Sequence, residues 1–284
     1  MSTIDDRIES SSADRDQALD AMNVVPPLDR GEGALARDGG RASIDLPASW
    51  QQGRGMFGGL VTGVLVHALE RVAPDRALRS LTAELCGPVA PSRVELAVEV
   101  LRAGNAVTTA AVRLVQHGEV QAHGVGVLGR ARAGATGHRI DLAPPAMRAW
   151  SDTPALPIAP DMPQFAQHGE YRITRGVPFA GNAEPHVEGW IRWRTPCAIR
   201  DAAYLAACLD SHWPCRYAIE PAPRPMATIA FTFQPLVREA PAGPLYYRGA
   251  QIAEDDGYCV ELREIWSADG ELLALNQQTF VVIK

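Results

Sequence analysis

Three polar residues of this 284-residue chain stand where the surrounding pattern predicts apolar side chains. Asp210 ends an apolar helical run, Thr228 lies near the start of a strand-like run, and Gln278 lies in the last strand-like run. Burying an unpaired polar group costs about 1–3 kcal/mol, so such positions are candidates for a functional site. The helix macrodipole disfavours a carboxylate at a C-terminal end, so we expect a raised pKa for Asp210, which suits proton transfer.

Each of these residues also has a purely structural explanation. The carboxylate can be solvated in the turn that follows the helix, the threonine can be an ordinary strand residue, and the glutamine can lie on an exposed edge. A comparison between the two halves of the chain, given below, favours the functional interpretation.

Glycines at the start of the first predicted helix form a second candidate feature. Gly58 and Gly59 leave backbone amides bare at a helix N-terminus, where they can bind an oxygen that develops negative charge. Tight packing of the helix against a curved sheet explains the same glycines equally well. The run from Gly53 to Gly58 also matches a GxGxxG dinucleotide fingerprint, but it does not follow a buried parallel strand. We therefore predict no dinucleotide site.

Other common chemistries have no signature in the sequence. There is no GxSxG, HExxH, phosphate-binding loop or EF-hand loop, and the seven histidines lack metal-ligand spacing, so we predict no metal and no cofactor. Lys and Arg total 27 against 33 Asp and Glu, a formal net charge of −6, which argues against nucleic-acid binding.

Targeting signals are also missing from the sequence. The longest stretch without a charged residue, 55–69, has 15 residues and is too short to span a membrane. The first 20 residues are polar and lack the apolar core of a signal peptide. The five cysteines are scattered and form no CxxC motif. We therefore expect a soluble, cytoplasmic protein.

Hydrophobic periodicity predicts one helix and a set of strands in each half of the chain. The first half has a helix from about residue 54 to Pro74, followed by strands at 78–86, 94–101, 107–115 and 120–128. The second half has a strand at 187–193, a helix at 198–212, and strands at 226–233, 245–253, 258–266 and 272–283.

The predicted organisation is a disordered polar tail (1–38), a first domain (39–129), a proline-rich linker (130–180) and a second domain (181–284).

The matching order of elements indicates an internal duplication. Both hairpin turns of the first half recur 152 positions later, and the strand after the helix recurs at an offset of 147. At these offsets Gln278 corresponds to Gly126 and Thr228 to Leu81, so only the second copy carries the polar residues. The predicted fold class is α+β, with two tandem antiparallel sheets, each wrapped around a central helix, that pair into a pseudo-dimer.

Several segments resemble the acyl-CoA thioesterase II (TesB-like) double-hotdog family over residues 50–284. The segments are GMFGG at 55–59, LRAGN at 101–105, AEPH at 183–186, WIR at 190–192 and MATI at 226–229. The resemblance implies a double hotdog fold, an acyl-CoA substrate, and homodimers or tetramers of the double unit.

The resemblance also implies a catalytic trio formed by Asp210, Thr228 and Gln278. Gln277 directly precedes Gln278, and a shift of one residue flips the face of a strand, so only one of the two can point into the site. We assign Gln278. The implied chemistry is thioester hydrolysis by a water molecule that the trio holds, with Asp210 taking the proton.

The rest of the implied site is less specific. Amides of Gly58 and Gly59 would bind the carbonyl oxygen, and side chains such as Phe231 would line the acyl chain. Two alternatives remain open at this stage. The first is a hotdog enoyl-CoA hydratase that uses Asp210 with His212, and the second is a double hotdog that binds acyl thioesters without catalysis.

Overall fold

The computed structural model describes residues 33–36, 38–134 and 143–283. Its first half contains the α-helix α1 (Gly58–Arg71). The strands of this half are β1 (Gly33–Ala36), β2 (Gly39–Asp45), β3 (Gln51–Gln52), β4 (Gly55–Met56), β5 (Ala77–Leu85), β6 (Arg93–Ala103), β7 (Val107–Gln116) and β8 (Glu119–Gly129).

The second half contains the α-helix α2 (Ala202–Asp210). Its strands are β9 (Gly169–Arg175), β10 (His186–Trp193), β11 (Met226–Pro235), β12 (Leu245–Asp255), β13 (Tyr258–Trp266) and β14 (Leu272–Val282). The side chain of Asp201 caps α2 by accepting a hydrogen bond from the Tyr204 amide at 3.1 Å. The two predicted helices and all nine predicted strands are confirmed, with ends that differ by a few residues.

Twelve strands form one antiparallel sheet in the order β1-β2-β6-β7-β8-β5-β11-β14-β13-β12-β10-β9. The first six strands of this order belong to the first half of the chain and the last six to the second half. The halves join where β5 pairs with β11, from Ala230 opposite Glu84 to Phe233 opposite Leu81. The sequence predicted two sheets, and the structure makes them continuous because this pairing satisfies backbone groups that would otherwise lie at two open edges.

The two helices pack against each other inside the curve of the sheet and run antiparallel. Asp210, at the C-terminal end of α2, lies against the first residue of α1, Gly58. At the other end of the pair, His67 of α1 contacts Asp201 at 3.3 Å. Both helices are almost entirely buried, which explains why apolar residues occupy more than one of their faces.

Two predicted boundaries are corrected by the strands. β1 lies inside the predicted tail, since residues 33–36 pair with β2, whereas residues 1–32 and 37 lie outside the described part of the chain. β9 lies inside the predicted linker and pairs with β10 at the edge of the sheet. Residues 169–175 contain no proline, so this part of the proline-rich segment is free to form a strand.

Candidate functional site

The carboxyl group of Asp210 lies at the centre of the candidate site. It is buried at the C-terminal end of α2, and its Oδ1 accepts a hydrogen bond from Nε2 of Gln278 at 2.6 Å. Gln278, on β14, is fully buried. The structure therefore brings together two of the three predicted polar residues, which are 68 positions apart in the sequence.

The same carboxyl group lies on the N-terminal end of α1. A Cβ atom built on Gly58 would be 2.6 Å from Oδ2 of Asp210, so a residue with a side chain would displace the carboxyl. A backbone hydrogen bond from Gly59 favours its charged form. Gly59 also packs tightly on α2, because a Cβ atom there would be 2.9 Å from Cα of Ala207. Close helix packing, the structural alternative, thus accounts for part of the glycine cluster.

A buried ion pair completes the surroundings of Asp210. Arg263, on β13, is held by Glu261 through two hydrogen bonds of 2.8 and 2.9 Å, and both side chains are fully buried. Nη1 of Arg263 lies 3.8 Å from Oδ1 of Asp210 and donates to the carbonyl oxygen of Leu209 at 3.1 Å. Glu261 in turn accepts a hydrogen bond from the Cys215 amide at 2.6 Å. The guanidinium charge is therefore fixed beside the candidate site.

These neighbours decide the electrostatics of Asp210. Burial raises the pKa of Asp210 above its ordinary value, whereas Arg263 and the hydrogen bonds from Gln278 and Gly59 oppose that rise. The predicted direction of the shift is therefore right, although desolvation rather than the helix macrodipole is its main cause. A carboxyl group with a raised pKa is a weaker acid. The Asp210 carboxylate is therefore a stronger base than the carboxylate of a free aspartate.

Strand register places Thr228 on the same face of the sheet as Gln278. Phe231 pairs with Gln278, and cross-strand partners share a face. A β-bulge between Thr228 and Ala230 inserts one residue, so Thr228, which pairs with Phe280, points to the same side as Phe231. Thr228 is half-buried and, within the described part of the chain, makes no hydrogen bond to Asp210 or Gln278. Thr228 and Gln278 therefore lie on one face of the sheet, but only Gln278 is hydrogen-bonded to Asp210.

The neighbouring glutamines differ sharply in environment. Gln277 is exposed and pairs with Thr232, whereas Gln278 is fully buried next to Phe231. Oε1 of Gln278 has no hydrogen-bond partner among the described residues, so it can still accept one. Phe231 itself is buried on the inner face of β11.

Charged residues on β13 are the part of the site that the sequence analysis missed. Glu261 and Arg263 are two positions apart and point inward, while Leu262 between them is 47% exposed. The signal was available as two opposite charges two positions apart in a strand-like run, at the spacing that puts both on one face. An outward-facing ion pair on the solvent side would give the same pattern, so only the fold distinguishes the two.

His212 has aromatic surroundings. Its ring stacks on Tyr247 at 4.0 Å between centroids, and its Nδ1 lies 3.2 Å from Oγ of Ser211. Burial and the nearby Arg263 lower the pKa of His212 to about 3. The imidazole is therefore neutral, and among the contacts of the described residues none joins it to Asp210.

Metal ligands and membrane spans are not found in the described residues. No group of three His, Cys, Asp or Glu side chains there is arranged to hold a metal ion. Neither helix in the described ranges is long and apolar enough to cross a membrane.

Comparisons with known proteins connect this geometry to a family. Residues 46–129 match the family model for the acyl-CoA thioesterase N-terminal domain, and residues 141–282 match the model for the C-terminal domain. A comparison with curated protein sequences gives no match.

Solved structures agree on the fold. A hot dog fold protein of unknown function from Alicyclobacillus acidocaldarius is 23% identical, with a TM-score of 0.76 over 86% of this chain and 93% of that one. The acyl-CoA thioesterase II TesB2 of Mycobacterium marinum is 21% identical, with a TM-score of 0.68 over 86% and 93%. The fold is therefore a hotdog fold, and because the two domain models cover most of the sequence, the chain belongs to the acyl-CoA thioesterase family, as its TesB-like segments predicted.

Proposed function

We propose that the chain is a double hotdog thioesterase that hydrolyses an acyl-CoA thioester to a carboxylic acid and coenzyme A. The observation that carries the proposal is the hydrogen bond between Asp210 and Gln278 at the N-terminal end of α1. A buried carboxyl with a raised pKa, held next to a helix N-terminus, combines a proton acceptor with donors for a developing oxyanion.

The proposed reaction uses one water molecule. Asp210 accepts a proton from the water as the water oxygen attacks the thioester carbonyl carbon. The carbon–sulfur bond then breaks, and the proton returns to the thiolate of coenzyme A. Gln278 donates through Nε2 to Asp210, which leaves its unpartnered Oε1 to accept from the water. Thr228, on the same face, would supply a further hydrogen bond to that water.

The carbonyl oxygen needs hydrogen-bond donors as it becomes negatively charged. We assign this role to the amide of Gly58, which lies at the start of α1 and makes no hydrogen bond within the described part of the chain. The Gly59 amide already favours the charged form of Asp210, so it would be shared between the two. The acyl chain would run between the helices and the sheet, where Phe231 lies.

Assembly is expected to follow the open edges of the sheet. The twelve-stranded sheet ends in β1 on one side and β9 on the other. An edge strand presents unpaired backbone groups that can pair with another chain. We therefore expect homodimers or tetramers, which light scattering of the purified protein would measure.

The hydratase alternative has less support than hydrolysis. It requires His212 to act with Asp210, but the imidazole is neutral, stacked on Tyr247 and bonded to Ser211. A binding protein without activity, the other alternative, would bind an acyl-CoA and release no thiol.

The test is release of free thiol from a panel of acyl-CoAs of increasing chain length. We expect at least one member to be hydrolysed with turnover. Loss of enoyl absorbance without thiol release would favour the hydratase. A ligand-induced rise in melting temperature without any product would show a binding protein instead.

Two adjacent glutamines provide a matched pair of variants. Gln278→Ala removes the hydrogen bond to Asp210, so we expect thiol release to fall about 10²-fold because the carboxyl loses its orientation. Gln277→Ala makes the same chemical change on the exposed face of the same strand and should leave the rate within a factor of about two. Equal effects of the two substitutions would remove Gln278 from the mechanism.

A further inference from the structure

A cavity of about 300 Å³ opens at the end of the helix pair opposite Asp210. It lies between the C-terminal end of α1, the N-terminal end of α2 and the loop after β11. Its lining residues are Glu70, Pro74, Asp75, Arg76, Ala77, Leu78, Ala202, Val237 and Arg238. We call it the second cavity. None of its lining residues has a role in the proposed hydrolysis.

The second cavity is related to the Asp210 site by the internal duplication. Glu70 lies at the C-terminal end of α1, as Asp210 does in α2. The bulge between Thr228 and Ala230 recurs between Leu78 and Ser80, so Leu78 is the counterpart of Thr228. The predicted offset of 147, which aligned Thr228 with Leu81, is therefore three residues too small at this strand. Leu81 pairs with Gly126 as Phe231 pairs with Gln278, so it is the counterpart of Phe231.

The hydroxyl and the amide of the Asp210 site are therefore replaced in the second cavity. Leu78 stands for Thr228, and Gly126 stands for Gln278, so neither position carries a polar side chain that could hold a water molecule. The carboxyl-bearing position persists as Glu70. The second cavity thus lacks the hydroxyl and amide groups of the Asp210 site but keeps a volume at the lower end of the range of small-molecule sites.

Two arginines line the second cavity. Arg76 is fixed by hydrogen bonds to Oγ1 of Thr108 at 2.6 Å and to the carbonyl oxygen of Gly104 at 2.9 Å. Its side chain is only 10% exposed, and its buried Nε has no hydrogen-bond acceptor. Arg238 is exposed at the mouth and forms no ion pair with any described residue. A fixed arginine and an arginine without an ion pair to any described residue therefore line the same cavity, which suits a carboxylate ligand.

Acidic groups around the second cavity offset part of the positive charge of Arg76 and Arg238. Asp75 is paired with Arg130 and lies 3.9 Å from Nε of Arg76. Burial, with a smaller contribution from Asp201, raises the pKa of Glu70 to about 7, while His67 opposes the rise. Near and below neutral pH a large fraction of Glu70 is therefore uncharged and can donate a hydrogen bond to an anion.

We propose that the second cavity binds a small monocarboxylic acid, with its carboxylate on Arg238 and Arg76 and its apolar chain against Leu78, Pro74 and Val237. The apolar wall distinguishes this ligand from inorganic phosphate, and the limited volume distinguishes it from a whole acyl-CoA. Thioester hydrolysis releases a carboxylic acid, so the ligand belongs to the class of the product. Only that link to the product rests on the proposed function.

The pH dependence of binding follows from Glu70. The groups facing it are His67 of α1, Asp201 at the start of α2, the Asp75 and Arg76 loop, and Arg238. Ionisation of Glu70 above pH 7 adds a negative charge beside the bound carboxylate, so binding weakens as pH rises. We expect an affinity about fivefold or more lower at pH 8 than at pH 6.

The experiment is calorimetric titration of hexanoate into the full chain carrying Asp210→Asn, so that binding is measured apart from turnover. Adding Arg238→Gln should weaken binding about tenfold to a hundredfold because a charge-assisted hydrogen bond is lost. Arg113→Gln, on the exposed face of β7 away from the second cavity, is the matched control and should have no effect. Glu70→Gln should bind equally at pH 6 and pH 8.

Each result bears on the proposal. No heat of binding at pH 6, or equal affinity with and without Arg238→Gln, would overturn it. Persistence of the pH dependence in Glu70→Gln would do the same. Since none of these measurements involves thioester cleavage, they stand even if the chain fails to hydrolyse any acyl-CoA.

Discussion

Asp210→Asn should lower thiol release from a hydrolysed acyl-CoA by about two to four decades. The substitution keeps the size and shape of the side chain but removes the group that accepts a proton from water. The amide oxygen of the new residue can still accept the hydrogen bond from Gln278 at the position of Oδ1. The loss should therefore fall on the rate of the chemical step and leave substrate binding nearly unchanged.

The control for this variant is Asp269→Asn in the exposed turn between β13 and β14. It changes the net charge equally and should leave the rate within a factor of about two. Melting temperatures of both variants should stay close to that of the parent protein. Turnover by Asp210→Asn equal to that of the parent would exclude Asp210 as the base and with it the proposed mechanism.

Arg263→Met should lower the free energy of unfolding by about 3–5 kcal/mol. Arg263 and Glu261 are both fully buried, so removal of the arginine leaves a carboxylate without its partner in a region that water does not reach. The hydrogen bond to the Leu209 carbonyl oxygen is lost as well. Urea denaturation monitored by tryptophan fluorescence would measure the change.

Two further variants separate a buried-charge effect from a general effect of the substitution. Arg41→Met removes an exposed arginine 3.9 Å from Glu95 and should cost less than about 1 kcal/mol. Glu261→Gln combined with Arg263→Met removes the unpaired charge while keeping an acceptor for the Cys215 amide, so it should recover part of the lost stability. A loss in Arg263→Met no larger than in Arg41→Met would contradict the assignment of a buried ion pair.

Arg263 also links stability to the candidate site. It opposes the rise in the pKa of Asp210 that burial causes, so its removal should raise that pKa further. The acidic limb of the pH–rate profile would then move to higher pH, because a larger fraction of Asp210 is protonated at a given pH. This shift provides an activity readout that loss of stability alone does not produce.

Local pattern was enough to locate both helices and most strands. Apolar spacing and the proline at position 74 bound α1 within a few residues, and hairpin turns bound the strands that follow. β9 was not predicted because the prolines on both sides of it indicated a linker. Burial nevertheless alternates over its first residues, as in an edge strand. β1 was not predicted because it has only four residues, too few to show a periodic pattern, and lies in a polar stretch.

The candidate site was predictable as far as residue type and strand face allow. The duplication showed that the threonine and glutamine positions are polar in only one half, and strand alternation showed that only one of Gln277 and Gln278 can point into the site. The offset between the halves at the strand after the helix was misjudged by three residues, because the correspondence is fixed by how β5 pairs with β8 and how β11 pairs with β14. Strand register is a tertiary contact that the local sequence does not show.

By itself the sequence determined two duplicated halves, their helices, the sign of the net charge, and a set of polar residues in apolar runs, because these follow from periodicity and composition. The tertiary structure decided which of those groups meet. Joining β5 to β11 and packing the helices antiparallel brings the end of α2 onto the start of α1, with Gln278 and Arg263 arriving from separate strands. Contacts between residues so far apart in the sequence form only when the whole sheet has assembled. No local sequence pattern therefore predicts them.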